Sequence, residues 1–283
     1  MAGSTAITSL TDTNVTTVAL LNTYLGETDT TDAKTAAVNA AIGYVRAFCG
    51  RTFGSARYRG WYRLEGETKF LFEDWPITAI NRLASGTQDA LSVCLTNSTA
   101  KNATVSVLED RLRIHTWDPT NAGLTEDALY ADYPKVSDFV AGIAAATTLD
   151  TWTVSCLVDG DAYSLRPRTP QDVLNATIHL ELPDDEVSVA SVDEDAGIAY
   201  LGYRVRGWVY ADYSAGYGNV PADLQQAATE IAAAILKSEP VNLNVQSERI
   251  GDYQYSVASG QAGETGTLAG FTSRLEPYRK FRL

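Results

Sequence analysis

Apolar residues recur along this chain in two rhythms, one of three to four residues and one of two. The first rhythm marks helices. Val15, Val18, Ala19 and the stretch from Leu21 to Leu25 predict a helix over residues 10–25, with Thr11 or Asp12 as its cap. After a polar loop from Gly26 to Thr30, Thr31 or Asp32 caps a second helix that runs to Phe48 or Cys49. Its stripe is Ala37, Ala41, Tyr44, Val45 and Phe48, widened by Val38, Ile42 and Cys49, and Gly50 stops it. A third helix opens at Pro221, because proline fits a first helical turn where its missing N–H has no partner in any case. Leu224, Ala227, Ala228, Ile231 and Ile235 fall on one side, Gln225, Gln226, Thr229 and Glu230 on the other, and Glu239-Pro240 ends it.

The alternating rhythm marks strands. Arg57 to Leu64 and Lys69 to Phe72 read as two strands of a hairpin turning at Glu65-Gly66. Thr104 to Val107 and Arg111 to Thr116 read as another, turning at Glu109-Asp110. Thr151 to Val158 is a strand followed by the hairpin signal Asp159-Gly160, and Thr177 to Leu182 is a further strand. A short helix over Val136 to Ala146 turns Phe139, Val140, Ile143 and Ala144 inward. Asp193 to Gly197 turns the chain into Ile198–Leu201, and Gly207 to Tyr213 is rich in the aromatic and β-branched residues that suit a pleated surface. That strand ends at Ser214-Ala215-Gly216-Tyr217-Gly218-Asn219, where the glycines permit a sharp turn with positive φ. Glu248 to Val257 alternates like a short strand.

Three of these pieces stand in a telling order. A strand ends in Tyr213 to Gly218, Val220 to Leu224 opens a long helix, and Ile250-Gly251-Asp252-Tyr253 follows. That order resembles the phage head-tail connector (adaptor) proteins, with Tyr213, Gly216, Gly218, Pro221, Leu224, Gly251, Asp252 and Tyr253 on the family's structural motifs. The opening of the chain is similar to theirs as well: a short helix, an alanine-rich second helix, then Gly50-Arg51-Thr52-Phe53 and Trp75-Pro76-Ile77-Thr78-Ala79-Ile80. The resemblance covers residues 8–86 and 191–283. It implies a homo-oligomeric, dodecameric ring beneath the portal protein, in the virion at the head-tail junction, made in the host bacterial cytoplasm. Such a ring extends the DNA channel, lets double-stranded DNA pass without specific binding, and docks the next neck or tail protein.

Composition bears on that picture in two ways. With Lys+Arg 22 against Asp+Glu 35 the formal net charge is −13, which argues against a protein that grips nucleic acid by neutralising phosphates. The acidity is local: residues 87–190 hold 6 basic and 16 acidic side chains. Residues 87–190 therefore read as an inserted, β-rich domain with one helix, between 1–86 and 191–257 of an adaptor core. The expected fold class is α+β, a helical core with a small β-sheet plus that insertion. An alternative function is a phage tail or capsid decoration protein that binds a host surface through the insertion.

Chemistry adds little. Cys49, Cys94 and Cys156 are odd in number and far apart, so neither a zinc knuckle nor a disulfide scaffold is indicated. His115 and His179 have no acid at ligand spacing, and no Gly-x-Ser-x-Gly elbow or phosphate-binding loop appears. Asp159/Asp161 and Asp193/Glu194/Asp195 do not complete a calcium loop and read as turn acids. The expectation is a non-enzyme without catalytic residues, metal or cofactor, and without a membrane span. Trp61, Tyr62, Trp208 and Tyr210 alternate along strands and read as packing residues. Glycines between Ala258 and Gly270 predict a flexible linker. It leads to a basic-aromatic tail of Phe271, Arg274, Leu275, Tyr278, Arg279, Lys280, Phe281, Arg282 and Leu283, expected to be loose in the free subunit and to bind the portal.

Overall fold

The computed structural model describes residues 5–6, 15–96, 100–118, 124–146, 151–237, 247–250, 253–256 and 271–280. In chain order the elements are β1 (Thr5–Ala6), α1 (Val18–Leu25), α2 (Asp32–Cys49), β2 (Ala56–Leu71), β3 (Ile77–Ser85), β4 (Gln88–Thr96), β5 (Asn102–Val107), β6 (Arg111–Trp117) and β7 (Leu124–Leu129). They continue with α3 (Asp138–Ala146), β8 (Thr151–Cys156), β9 (Arg168–Asp172), β10 (Ile178–Leu182), β11 (Asp185–Glu186), β12 (Val189–Asp193), β13 (Ile198–Ala215), α4 (Ala222–Lys237), β14 (Ser247–Ile250) and β15 (Tyr253–Ser256). The helical core with a small sheet that the sequence suggested is overturned. Strand outweighs helix, and the strands form three antiparallel sheets besides the hairpin β14–β15.

The reason lies in two long strands. The chain does not turn back at Glu65-Gly66; Ala56–Leu71 form one strand of 16 residues. Gly66 takes φ +115 inside that strand, so its freedom bends a continuous ladder instead of reversing the chain. Likewise Ile198–Leu201 and Gly207–Tyr213 are parts of one strand of 18 residues. These two strands neighbour each other in a sheet ordered β1-β2-β13-β3-β11, with β12 also paired to β13. The turn Asp193 to Gly197 does reverse the chain, since Asp193 pairs Ile198.

The chain divides into two compact units. The first comprises residues Met1–Thr8, Arg57–Glu73 and Ile77–Ala215, and so holds that sheet together with the 87–190 segment. Within the segment, β7-β6-β5-β9 and β10-β4-β8 make two further sheets. The Glu109-Asp110 turn joins β5 to β6 as expected, with Val107 opposite Leu112. Asp159-Gly160 is not a hairpin turn, because β8 pairs β4 and not the strand that follows it. Alternation buries one face of each sheet: Leu91, Val93 and Leu95 of β4, Val105 and Val107 of β5, and Leu180 and Leu182 of β10 share a core with Phe139 and Ile143 of α3. That core draws only on residues between Ala90 and Leu182. Beside it, an aromatic row runs along the long strands: Tyr213 lies 5.4 Å from Tyr58 and 4.6 Å from Phe72, and Trp61 lies 5.5 Å from Tyr210, ring centre to ring centre.

The second unit comprises Ser9–Ala56, Asp74–Pro76 and Gly216–Leu283. α2 follows the sequence reading, with Thr31 as N-cap accepting from Lys34 N and Gly50 as a left-handed C-cap. α1 is capped by Thr17 Oγ1, while the expected caps Thr11 and Asp12 lie outside the described residues. The loop between them is clipped by buried Lys34, whose ammonium reaches Glu27 at 2.6 Å and Asp29 at 2.8 Å. α4 packs Leu224, Ala227, Ala228 and Ile231 against Leu21 of α1 and Val38, Ala41 and Val45 of α2. Alanines at these positions let the helix backbones approach closely.

Candidate functional site

The residues singled out by the sequence fall into two places on the second unit and one on the first. Gly216 is held at φ +107, with its N–H donating to Pro76 O at 2.9 Å. A Cβ built on it would collide with the carbonyl oxygen of Gly54, lying 2.8 Å from Gly54 C and 3.0 Å from Ser55 Cα. Next to it Tyr217 N donates to Phe53 O at 2.9 Å, and Tyr217 forms a parallel bridge with Gly54. The turn thus clasps the Arg51–Gly54 segment that follows α2. Arg51 is buried there, its guanidinium 4.3 Å from the ring centre of Trp75, with Phe53 and Tyr217 further round it. Pro221 precedes α4 and its carbonyl accepts the first helical bond, from Gln225 N. Leu224 is fully buried in the helical core. Gly218 is different: a Cβ on it would meet nothing within 4 Å. Tyr213 belongs to the aromatic row of the first unit, and Tyr253 opens β15 opposite Ile250. Gly251 and Asp252 lie outside the described residues.

The C-terminal segment is not loose over its described part. Residues 271–275 are helical and continue into a 3-10 turn, Glu276–Tyr278. Leu275 is 0% exposed and joins the core of α1, α2 and α4, with Phe271 and Tyr278 packed against that core. Polar contacts fix the segment in register. Arg274 Nη1 donates to Glu230 Oε2 at 2.6 Å, and Tyr278 Oη donates to the Asp223 carboxylate at 2.7 Å. Burial, with the Asp223 carboxylate beside it, raises the Tyr278 pKa well above the phenol range. Lys280 N donates to Cys49 O at 2.7 Å, and Lys280 Nζ stands 3.7 Å from Asp74 Oδ2. Arg279 lies over Phe48 and beside Glu276. Burial pushes the Cys49 thiol up to about 11, so it stays protonated under this segment. Phe281, Arg282 and Leu283 lie outside the described residues.

Sequence reasoning had named the basic residues and not their acidic receptors. Asp223 sits in the Val220 to Leu224 motif itself, and Glu230 lies seven residues further along α4, two turns on the same side. The other missed feature is an ionic network around buried Asp212 in the first unit. Asp212 of β13 accepts from Arg57 Nε at 2.7 Å and Nη2 at 2.6 Å, from Arg59 Nε at 2.9 Å and from Asn81 Nδ2 at 3.0 Å. Burial alone would raise its pKa, but the hydrogen bonds from Arg57 and Asn81 and the charges of Arg59 and Arg57 outweigh burial and hold it below the usual carboxylate value. Arg59 also reaches Asp161 of the inserted segment at 3.1 Å, and Trp61 Nε1 donates to Ser164 O at 3.2 Å. The inserted segment is therefore pinned to the long strand β2.

The remaining chemical candidates have structural partners. Asp159 accepts from Ser137 N and Asp161 from Tyr163 N, each at 3.0 Å, and Asp193 accepts from Ala196 N. His115 shares a 2.9 Å hydrogen bond with Thr125, and His179 stands 3.2 Å from Asp89 on the surface. Among the described residues no group of three metal-ligating side chains comes together, and no helix is long and apolar enough to cross a membrane.

No family model matches the chain, and no curated protein matches it. Among solved structures it is similar to a chain of the neck of an empty gene transfer agent particle, with 13% identity and a TM-score of 0.37 over 99% of this chain and 96% of that one. It is similar also to a chain of the virion of a native gene transfer agent particle, with 13% identity and a TM-score of 0.32 over the same shares. TM-scores this low do not establish a shared fold.

Proposed function

We propose that this chain is a structural subunit of a phage or phage-like virion, the adaptor at the head-tail junction. One observation carries the reading: the adaptor-like segments, distant in sequence, interlock in the second unit. The Gly216–Tyr217 turn clasps Phe53 and Gly54, and the helix opened by Pro221 buries Leu224 against α2. A motif set that closes on itself in this way is a scaffold, and its role is assembly rather than chemistry. In this reading copies form a ring, twelve in number by the family resemblance, bound beneath the portal and offering its far face to the next neck or tail protein. The net charge of −13 suits a channel wall past which DNA slides, since an acidic surface repels phosphates. Portal contact falls to the C-terminal segment, through the outward side chains of Arg279 and its neighbours. The test is co-expression with the portal protein of the same particle, followed by affinity purification and negative-stain microscopy. Rings stacked on portal are expected. A chain that stays monomeric and leaves portal behind overturns the proposal.

A further inference from the structure

We infer that the C-terminal segment, residues 271–280, is an exchangeable plug that adjacent copies of this chain insert into one another. The inference rests on the reading that copies stand side by side, and it adds what joins them.

The plug has the properties that exchange requires. Its contacts are dense and specific: Leu275 is fully buried, Arg274 meets Glu230, Tyr278 meets Asp223, and Lys280 N meets Cys49 O. All of these receptors belong to α1, α2 or α4, so every copy carries a complete socket. The plug runs antiparallel to α4, since Arg274 pairs with the later residue Glu230 and Tyr278 with the earlier residue Asp223. Its start therefore lies towards the end of α4 at Lys237. Returning from there needs only a few residues, as helix connections commonly take two to eight. The chain instead spends residues 238–270, thirty-three positions, on that return. Ten of these, 247–256, span the β14–β15 hairpin. The other twenty-three extend to about 75 Å at roughly 3.3 Å each. α4 itself, with 16 residues, is about 24 Å long.

A connection so much longer than its task leaves the socket of an adjoining copy within reach. Inserting there reproduces every contact, so exchange loses nothing at the socket. What decides between the two sockets is concentration. A tethered plug meets its own socket at an effective concentration on the order of millimolar. Neighbours fixed in a ring present theirs at a comparable concentration. Dilute chains then keep their own plugs, and assembled chains trade them.

The test uses the Lys280–Asp74 pair as its own reporter. Unlabelled and ¹⁵N-labelled full-length chains are mixed in equal amounts, unfolded together, refolded at high concentration and sedimented. Carbodiimide then couples the Lys280 amine to the Asp74 carboxyl as an amide with loss of water. Mass spectrometry reads whether the linked peptides carry one isotope or both. Complete exchange puts about half of the linked pairs in the mixed class, and dilute monomer should give none. A second arm uses Gly50→Cys and Lys280→Cys on separate chains, in a background of Cys49→Ala, Cys94→Ala and Cys156→Ser. The Lys280 Cβ lies 3.8 Å from a Cβ built on Gly50, a separation that suits a disulfide. Mixing the two single-cysteine chains should give covalent dimers on oxidation of the assembled form. Oligomers with neither mixed-isotope pairs nor cross-chain disulfides overturn exchange and leave the ring standing. A chain that never sediments as an oligomer overturns both. Failure of the Lys280–Asp74 link to form even within one chain refutes the docked plug itself.

Discussion

Gly216→Ala is the substitution with the sharpest expected effect. Two costs add. A non-glycine residue at φ +107 is strained by about 1–3 kcal/mol. The new Cβ also collides with backbone atoms of Gly54, which have no rotamer by which to escape. The turn must move off the Phe53–Gly54 segment, loosening the bonds from Gly216 N to Pro76 O and from Tyr217 N to Phe53 O, each worth about 1 kcal/mol net. The expected loss is roughly 3–5 kcal/mol. At about 2–4 °C per kcal/mol for a chain of this size class, Tm should fall by roughly 10 °C. Gly218→Ala is the internal control. It lies two residues away in the same motif, has open space around it, and is outside the left-handed region. It should change stability by no more than about 1 kcal/mol, with a gain in rigidity of the unfolded chain favouring the variant. Urea unfolding followed by circular dichroism, with calorimetry for Tm, measures both. Equal losses for the two alanines, or a Gly216→Ala chain as stable as wild type, would refute the account of the turn.

Asp212→Ala removes the buried acceptor that Arg57, Arg59 and Asn81 share, and should cost about 1–3 kcal/mol in urea unfolding, since half-buried Arg59 keeps only Asp161 as its acidic partner. Asp212→Asn tests the charge alone. The folded pKa lies below the unfolded value near 3.9, so the stabilisation is whole above about pH 4 and disappears as pH falls through the depressed folded value. The stability gap between wild type and Asp212→Asn should therefore narrow below pH 4, and a gap unchanged from pH 7 to pH 2 would contradict this. Leu275→Ala should destabilise the helical unit by about 2–5 kcal/mol, read as earlier exchange of α2 and α4 amides in hydrogen-exchange mass spectrometry. Protection equal to wild type would mean that the segment is not packed there.

Local signals were legible where they were short-range and self-contained. α2 could be placed between Thr31 and Gly50 because cap, stripe and stop agree, and the hairpin at Glu109-Asp110 because alternation on both sides supports the turn. The long strands were not legible for a specific reason. Gly66 in a strand and glycine in a hairpin turn look alike in sequence, since both use positive φ, and only the partner strand distinguishes a bend from a reversal. Reading Glu65-Gly66 as a turn cut β2 in two, and reading Ile198–Leu201 apart from Gly207–Tyr213 did the same to β13. Each cut shortened a strand, and together they made the sheet look small beside the helices. Asp159-Gly160 misled for the complementary reason: the strand before it finds its partner some sixty residues earlier, in β4.

The C-terminal segment shows a different gap, in where it rests rather than in its pattern. Four cations interleaved with apolar residues do imply an acidic, partly apolar receptor. The expectation that failed is looseness in the free subunit, because the segment already rests on such a receptor within its own chain. The spacing held the correction, because Phe271, Leu275 and Tyr278 follow one another by four and then three, the interval of an amphipathic helical turn with a face to bury. Acidic residues two turns apart on an apolar helix, Asp223 and Glu230, offered the matching face within the same chain. Glycines before the segment had suggested freedom, yet a linker sets how far an element can reach and says nothing of where it rests. This bears on assembly. Any partner that takes the segment, whether portal or a neighbouring copy, competes with a socket tethered at roughly millimolar effective concentration. A portal groove that merely matched four positive charges would lose that competition. It must also offer a buried site for Leu275, which no surface ion pair replaces. A second copy of the chain supplies such a site without further design, and in the proposed ring the side chains that docking leaves outside, Arg279 foremost, are those free to meet another protein.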